Sequence, residues 1–278
     1  MTLCLVWKNG GQIHFASDSR ISFGNNLYAD VAIKVFSIPV KIYTATDAQT
    51  GQRSLDYDHN IGMCFAGSTT NAYLVKESVY EVLQHLQYTP YTDFSMKGIS
   101  RLVSKFYEHT SRRICEQIGD CGIADFFLGG YCPAARTLRV YKFTIDNSVH
   151  PIVANYEEVL LTDGIELLGS GSTRAREVLN YNQNIDRFRL LKDIIKDITI
   201  PSVGGNIQYG RFENNDFIVK GVQDYEINAN GRVNVRFNLR GTELYKDDFA
   251  CDYDDFHISY SFILPFKVEI DEAIDNQQ

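Results

Sequence analysis

The pattern of apolar and polar positions at the start of the chain is that of a β-hairpin. Residues 2–7 and 12–16 are apolar at strand spacing, and the turn between them, residues 8–11, contains a Gly-Gly pair. A third short strand is expected over residues 31–38, where the pattern is again apolar. The first element of the protein is therefore predicted to be two paired strands, with a third close behind.

Helical spacing of apolar residues appears in two pairs of segments. The predicted helices cover residues 70–87, 95–118, 173–181 and 186–197. Ser68 or Thr69 is placed to cap the first of them, and Ser172 or Thr173 the third. Each helix has a polar face and an apolar face, so each is expected to cover one side of a sheet.

Strand patterns fill the segments between and after the helix pairs. They lie at residues 61–67, 124–131, 137–145, 152–156, 158–161, 201–208, 222–227, 233–239 and 257–268. Residues 39–60 are polar and rich in turn formers, and we interpret them as a loop or added hairpin bordering the active-site face. The alternation of strand groups with helix pairs favours an α+β fold, with two stacked antiparallel sheets covered by helices on both outer faces.

Composition excludes several classes of function. The 278 residues are 44% hydrophobic, enough for one large domain, and the net charge is −8 without any basic run. A chain of this charge is not expected to bind nucleic acid or an anionic membrane. No apolar run approaches membrane-spanning length, and Met1 is not followed by a basic leader segment.

The cysteines and the acidic loop residues suggest no cofactor. None of the six cysteines forms a Cys-x-x-Cys pair, so we expect buried or incidental thiols in a reducing cytoplasm. Cys4 is expected in the core. Asp56, Asp58 and His59 are close in sequence, but consecutive acidic residues in a loop are usually solvated, and we predict neither a metal nor a cofactor.

The residues that carry candidate chemistry are Thr2, Asp18 and Lys34, each near the end of a predicted strand. A hydroxyl is a weak nucleophile without a nearby base. If Met1 is removed, Thr2 carries both its hydroxyl and a free α-amine, which serves as the base in N-terminal threonine enzymes. Lys34 is expected to tune that amine, Asp18 to orient Lys34, and Arg20 to brace Asp18 from the flank.

Thr2, the triplet at residues 18–20 and Lys34 resemble the catalytic set of proteasome β-subunits and their bacterial HslV-type relatives, which are N-terminal-nucleophile (Ntn) hydrolases. Segments 62–67, 126–131 and 168–172 match the family in the same order. The resemblance spans about the first 210 residues. It implies a four-layer αββα sandwich as a core over residues 1–215. Residues 216–278 match no motif of the family, and their strand-like pattern predicts a β-rich C-terminal extension packed on that core.

The resemblance also implies roles for further residues. Gly67 matches the glycine whose backbone N–H is an oxyanion donor, and Ser170 matches the serine that hydrogen-bonds the terminal amine. Ser202 matches a serine beside the nucleophile, but the acidic residue expected just before it is absent, because Thr199 and Ile200 stand there. Asp197 is a candidate substitute. A glycine-rich turn before a helix is also typical of phosphate binding, although no lysine follows this one.

The sequence is compatible with three functions. The leading hypothesis is a threonine-type peptidase acting on a peptide or amide substrate. A non-catalytic assembly subunit and an Ntn amidase for a small molecule are the alternatives, since a fold does not fix its substrate. The family resemblance implies a homo-oligomer, either a ring or an open spiral, and leaves an ATPase partner undecided.

Overall fold

The computed structural model describes residues 2–23, 27–89, 91–227, 233–244 and 261–266. These ranges form a mixed α+β fold built mostly from strands, with four α-helices. The strands in chain order are β1 (Cys4–Asn9), β2 (Gln12–Ser17), β3 (Ile21–Ser22), β4 (Tyr28–Ala29), β5 (Val35–Tyr43), β6 (Leu55–Gly67), β7 (Leu86–Gln87), β8 (Ala124–Cys132), β9 (Thr137–Asp146), β10 (Val153–Val159), β11 (Gly164–Leu168), β12 (Gln208–Glu213), β13 (Asp216–Ile227), β14 (Val233–Leu239), β15 (Thr242–Leu244) and β16 (Phe262–Ile263).

Two main sheets contain nearly all of these strands. The first has the order β11-β1-β2-β12-β13-β14-β15, with β16 paired to β13. The second has the order β10-β9-β8-β6-β5-β7, and β3 with β4 forms a small separate ribbon. The predicted opening hairpin is present as β1 and β2, which pair in antiparallel register from Cys4 with Ser17 to Asn9 with Gln12.

The four helices lie close to their predicted positions. They are α1 (Thr69–Leu83), α2 (Met96–Ile118), α3 (Ser172–Tyr181) and α4 (Arg187–Lys196). Ser68, Ser95 and Asp186 cap α1, α2 and α4 by accepting backbone N–H groups of the first turn. The predicted cap of α3 was wrong: Gly171 is its N-cap residue and makes no side-chain bond.

Apolar packing assigns each helix pair to one sheet. Helices α1 and α2 share a buried cluster with the second sheet, and α3 and α4 share another with the first sheet. A third cluster joins the two sheets, with Phe15, Phe127 and Phe217 fully or almost fully buried in it. Burying an aromatic side chain of this size stabilises a fold by about 1.5–3 kcal/mol, so these contacts are a large part of what holds the sheets together.

Some predicted bounds were wrong. The predicted strand at 31–38 begins only at Val35, so Lys34 lies just before β5. Residues 39–60 belong to a long hairpin of β5 and β6. At about 3.3 Å per residue, its tip lies about 30 Å or more from the Lys34 end and does not border that end. Strand β11 was not predicted as a separate strand, and it pairs with β1.

The segment after residue 215 continues the first sheet. Strand β13 pairs with β12 on one side and with β14 on the other, and the predicted boundary falls in the turn between β12 and β13. The predicted hairpin turn at 228–232, most of the predicted strand at 257–268 and the acidic tail lie outside the described residues. Within the described ranges, no helix is long and apolar enough to cross a membrane.

The expectation that the cysteines are free thiols was wrong for one pair. Cys4 on β1 and Cys64 on β6 form a disulfide that joins the two sheets, 60 residues apart in sequence. Both are fully buried, as was expected for Cys4. No Cys-x-x-Cys spacing announces such a pair, because it depends on two strands of different sheets facing each other. One argument for a reducing compartment is thereby removed.

Candidate active site

Thr2 is held at the start of β1 by the turn that precedes α3. The Gly171 N–H donates to the Thr2 carbonyl oxygen at 3.2 Å. Gly169 has φ +93°, and a Cβ at this position would collide with the same carbonyl oxygen. The turn therefore needs glycine for its backbone conformation and for the close approach of Thr2.

Thr2, Lys34 and Asp18 form one buried hydrogen-bonded chain. The Lys34 Nζ donates to Thr2 Oγ1 at 2.7 Å and to Asp18 Oδ1 at 3.0 Å. The three residues are at most 1% exposed. Burial lowers the pKa of the Lys34 ammonium below its ordinary value, and the Asp18 carboxylate acts in the opposite direction. The ammonium is thus placed to stabilise negative charge that develops on the Thr2 oxygen.

The Asp18 carboxylate is fixed mainly by backbone groups. Its Oδ1 accepts the Leu3 N–H at 3.0 Å, and its Oδ2 accepts the N–H groups of Arg20 and Gly204 at 3.1 Å each. Arg20 contacts Asp18 through its backbone N–H, as just described, whereas its guanidinium forms a two-point ion pair with Asp30.

Sequence reasoning missed Gln208, the first residue of β12. Its Oε1 accepts the Lys34 N–H at 2.9 Å, and its Nε2 donates to the carbonyl oxygens of Asp18 and Ala32. Gln208 is 1% exposed and ties together the backbones that carry Asp18 and Lys34. A lone glutamine at the start of a strand carries no sequence signal for such a role.

Ser170 and Ser202 contact each other next to the Thr2 nitrogen. Ser170 Oγ accepts the Thr2 N–H at 3.3 Å and lies 2.8 Å from Ser202 Oγ. Asp197 does not replace the missing acidic residue, because its carboxylate accepts from Thr199 and pairs with Arg174. The serine pair therefore lies against the Thr2 nitrogen, and within the described ranges neither serine hydroxyl has a hydrogen bond with a carboxylate.

Gly67 ends β6 close to Lys34. The Phe65 N–H donates to the Lys34 carbonyl oxygen, two residues before Gly67. Gly67 has φ +100°, and a Cβ there would lie 2.5 Å from the Ile123 carbonyl oxygen. The strand thus requires glycine at the position where the resemblance expects an oxyanion donor.

The fold of this chain is similar to that of several solved structures. No family model matches the chain, and no curated protein matches it. Among solved structures, Anbu from Pseudomonas aeruginosa, in a helical assembly, aligns with TM-score 0.55 and 18% identity over 82% of this chain and 88% of that chain. An Anbu Gly-1 mutant from Hyphomicrobium sp. strain MC1 gives 0.54 and 17% over 84% and 86%. Anbu from Yersinia bercovieri, described as an ancestral beta-subunit, gives 0.53 and 13% over 78% and 86%.

The chain has the fold of Anbu. At identities this low the likeness shows the fold alone, and this fold is proteasome-like at a coarse level. Each alignment covers more than three quarters of this chain and of the Anbu chain, so the Anbu fold accounts for most of this protein. Chemistry must be argued from the residues around Thr2.

Asp56, Asp58 and His59, which are close in sequence, do not come together in this Anbu-like fold. Asp56 and Asp58 are exposed on one face of β6, whereas His59 points to the other face and lies 3.5 Å from Asp216. No group of three or more potential ligands (His, Cys, Asp or Glu) that could hold a metal occurs in the described part of the chain.

Proposed function

We propose that this protein is an amide-bond hydrolase with Thr2 as its N-terminal nucleophile, acting on a peptide or amide substrate. The observation that carries the proposal is the 2.7 Å contact between Thr2 Oγ1 and a buried Lys34 that is itself held by Asp18. An ammonium buried against a threonine hydroxyl can lower the proton affinity of that oxygen, which is what a hydroxyl nucleophile needs.

The proposed reaction begins once Met1 is removed. The freed α-amine, with an ordinary pKa of about 7.7–8.0, takes the Thr2 hydroxyl proton as the oxygen attacks the substrate carbonyl carbon. The Gly67 N–H stabilises the resulting oxyanion. Collapse breaks the C–N bond, and the protonated α-amine returns its proton to the leaving amine. Water then cleaves the Thr2 ester in a second step that regenerates the hydroxyl.

Ser170 and Ser202 support the proton transfers in this proposal. With Met1 attached, the Thr2 nitrogen donates to Ser170 Oγ, so the same hydroxyl is within reach of the amine after processing. Ser202 Oγ accepts from or donates to Ser170 and steadies its orientation. Because the acidic residue expected before Ser202 is absent, no carboxylate from that position acts on the serine pair, and we expect this to affect the amine more than the hydroxyl.

The finer features of fold and assembly belong to the same proposal. We interpret the two sheets with one helix pair on each as the αββα sandwich of the Ntn hydrolases. The division into a core (1–215) and a C-terminal extension (216–278) stays a prediction, as does a cytoplasmic location. The helical assembly of Anbu from Pseudomonas aeruginosa favours a homo-oligomer, with an open spiral preferred to a ring. An ATPase partner and the choice between peptide and small amide stay open.

A non-catalytic subunit on the same fold is the competing function, and Met1 decides between the two. While Met1 is attached, the Thr2 nitrogen is an amide without useful basicity, and no base activates the hydroxyl. We expect protein purified from cells to begin at Thr2, as measured by intact mass. A population that keeps Met1 throughout would favour the non-catalytic subunit.

The direct test uses a covalent threonine-directed electrophile followed by peptide mapping. We expect the label on Thr2, loss of label and of hydrolysis in Thr2→Ala, and partial retention in Thr2→Ser. Thr173→Ala is the matched control, since Thr173 is an exposed threonine at the start of α3. Hydrolysis by Thr2→Ala at the wild-type rate would refute the mechanism, and an unchanged circular dichroism spectrum of that variant excludes unfolding as the cause of its loss.

A further inference from the structure

The turn between β14 and β15 lies against the segment that carries Asp18. It consists of Arg240 and Gly241, with φ +48° and +88°. Two-residue hairpin turns of type I′ require positive φ at both positions, which is strained for an arginine. A Cβ at Gly241 would lie 2.6 Å from Ser19 Cβ and 3.3 Å from the Ala32 carbonyl oxygen. The turn therefore packs directly on the chain at Ser19, where a side chain would not fit.

Asn206 ties this turn to the residue that follows Asp18. Its side-chain Nδ2 donates to the Gly241 carbonyl oxygen at 3.1 Å, and its backbone N–H donates to Ser19 Oγ at 2.8 Å. Ser19 is fully buried, whereas Asn206 is half-buried. One residue thus holds the turn on one side and the segment at Asp18 on the other.

Ser19 is in turn coupled to both charged residues of the proposed site. Its N–H donates to the Gly204 carbonyl oxygen, and the Gly204 N–H donates to Asp18 Oδ2, each at 3.1 Å. The Ser19 carbonyl oxygen accepts the N–H of Ala32 at 2.9 Å, two residues before Lys34. A displacement of Ser19 would therefore change the position of the Asp18 carboxylate relative to Lys34.

The turn between β1 and β2 shows that this contact is not a consequence of the turn conformation. Gly10 and Gly11 in that turn also have positive φ, of +56° and +83°, but a Cβ at either would meet no atom within 4 Å. The two turns thus share the sign of φ and differ in what they touch. The contact with Ser19 is specific to Gly241.

We propose that Asn206 and Gly241 are positioning residues of the proposed hydrolase. Through Ser19 they hold Asp18 in contact with Lys34. The inference rests on the proposed function and extends it, because it gives the β14–β15 turn a role in the activation of the nucleophile. That turn lies beyond the part of the sequence that resembles the Ntn hydrolases.

The test is covalent labelling of Thr2 by a β-lactone, a strained ester that a hydroxyl nucleophile opens. The ring-opened probe adds its full mass to the processed chain, so intact mass gives the labelling rate at each probe concentration. The maximal rate reports on the activation of Thr2, and the half-saturating concentration reports on binding of the probe.

Asn206→Ala removes the bond to Gly241 but keeps the backbone N–H that donates to Ser19. We expect its maximal labelling rate to fall about tenfold or more, because a misplacement of about 1 Å in a catalytic group can cost about a hundredfold. The half-saturating concentration should stay at the wild-type value, since the probe is not bound by this residue. A variant that was only less stable would not show this separation once it is assayed in the folded state.

Gln84→Ala is the matched control. Gln84 Nε2 donates to the Tyr80 carbonyl oxygen at 3.2 Å and the residue is also half-buried, but it lies at the end of α1 far from Gly67. This variant should be labelled at the wild-type rate. Equal maximal rates in Asn206→Ala and Gln84→Ala would overturn the inference. A loss in Asn206→Ala that appears only in the half-saturating concentration would overturn it as well.

Gly241→Ala tests the contact with Ser19 itself. Its added Cβ would displace Ser19, so the maximal rate should fall about tenfold or more. Gly11→Ala also forces an alanine into positive φ but meets no neighbour, and it should be labelled as wild type is. Both are assayed at temperatures where circular dichroism shows the folded protein, and equal rates would contradict the role of the contact. If Gly241→Ala does not fold, Asn206→Ala against Gln84→Ala decides.

Failure of the proposed function gives a different result, namely no label on Thr2 in the wild type. The positioning is then tested by urea unfolding of Asn206→Ala, Lys34→Met and the double variant. The double variant should change the unfolding constant by about threefold or more less than the product of the two single effects, because a loosened Asp18 loses less when Lys34 is removed. Gln84→Ala combined with Lys34→Met should be multiplicative. Multiplicative effects in both combinations would overturn the inference, whatever the activity.

Discussion

The buried Lys34–Asp18 pair permits a sharp test of the site through stability alone. Lys34→Met removes the ammonium with little change in shape, and Asp18→Asn removes the carboxylate charge. Breaking a buried pair by removing one partner costs about 3–5 kcal/mol in the free energy of unfolding. Asp18 keeps its three backbone donors when Lys34 is lost, so we expect the lower end of this range, about 3 kcal/mol.

The double variant should cost much less than the sum of the two single variants. With both charges gone, neither group is left buried as an unpaired ion, and we expect a coupling energy of about 2 kcal/mol or more. Urea unfolding followed by the fluorescence of Trp7 measures it, since Trp7 is the chain's single tryptophan and is buried. Additivity of the two single changes within about 0.5 kcal/mol would show that the pair does not interact as described.

A surface pair provides the matched control for this cycle. Arg139 and Glu158 pair at 2.7 Å on neighbouring strands, with side chains 35% and 25% exposed. Exposed pairs are worth about 0–1 kcal/mol, so Arg139→Met combined with Glu158→Gln should show a coupling below about 1 kcal/mol. A control coupling as large as that of the buried pair would mean that burial is not the cause.

Three further outcomes are expected. Burial, and to a smaller extent the nearby Arg211, lowers the pKa of His14 from 6.5 to about 4. As the pH falls, His14 is therefore protonated in the unfolded chain at a higher pH than in the folded protein. The free energy of unfolding is thus expected to fall as the pH falls from 6.5 towards 4. His14→Gln should flatten this dependence in urea midpoints, while the same change at the exposed His109 should not. Gly67→Ala should lower the free energy of unfolding by about 2 kcal/mol or more, because the added Cβ would clash with the Ile123 carbonyl oxygen. The control Gly11→Ala, at φ +83° with no atom near the added Cβ, should lower it by about 1 kcal/mol. Equal losses in the two variants would contradict the clash. Light scattering after size exclusion should show an oligomer at micromolar concentration, and a clean monomer there would remove the assembly from the proposal.

Local pattern was enough to predict most elements of the fold. The Gly-Gly turn predicted the β1–β2 hairpin, and the helical spacing at 95–118 predicted α2 (Met96–Ile118) to within one residue. These features depend on neighbours within a few positions, so the chain carries them without its tertiary structure. The candidate trio of Thr2, Asp18 and Lys34 was also visible in the sequence, because each residue follows or precedes a strand end.

The tertiary structure decided what those residues touch. Gln208 reaches the backbone N–H of Lys34 across 174 positions of sequence, and Arg20 donates its backbone N–H to Asp18 while its guanidinium pairs with Asp30. The Cys4–Cys64 disulfide likewise depends on which strands of two sheets face each other. Hydrogen-bond partners of this kind are chosen by the packing of distant strands, and no periodicity along the chain records that choice.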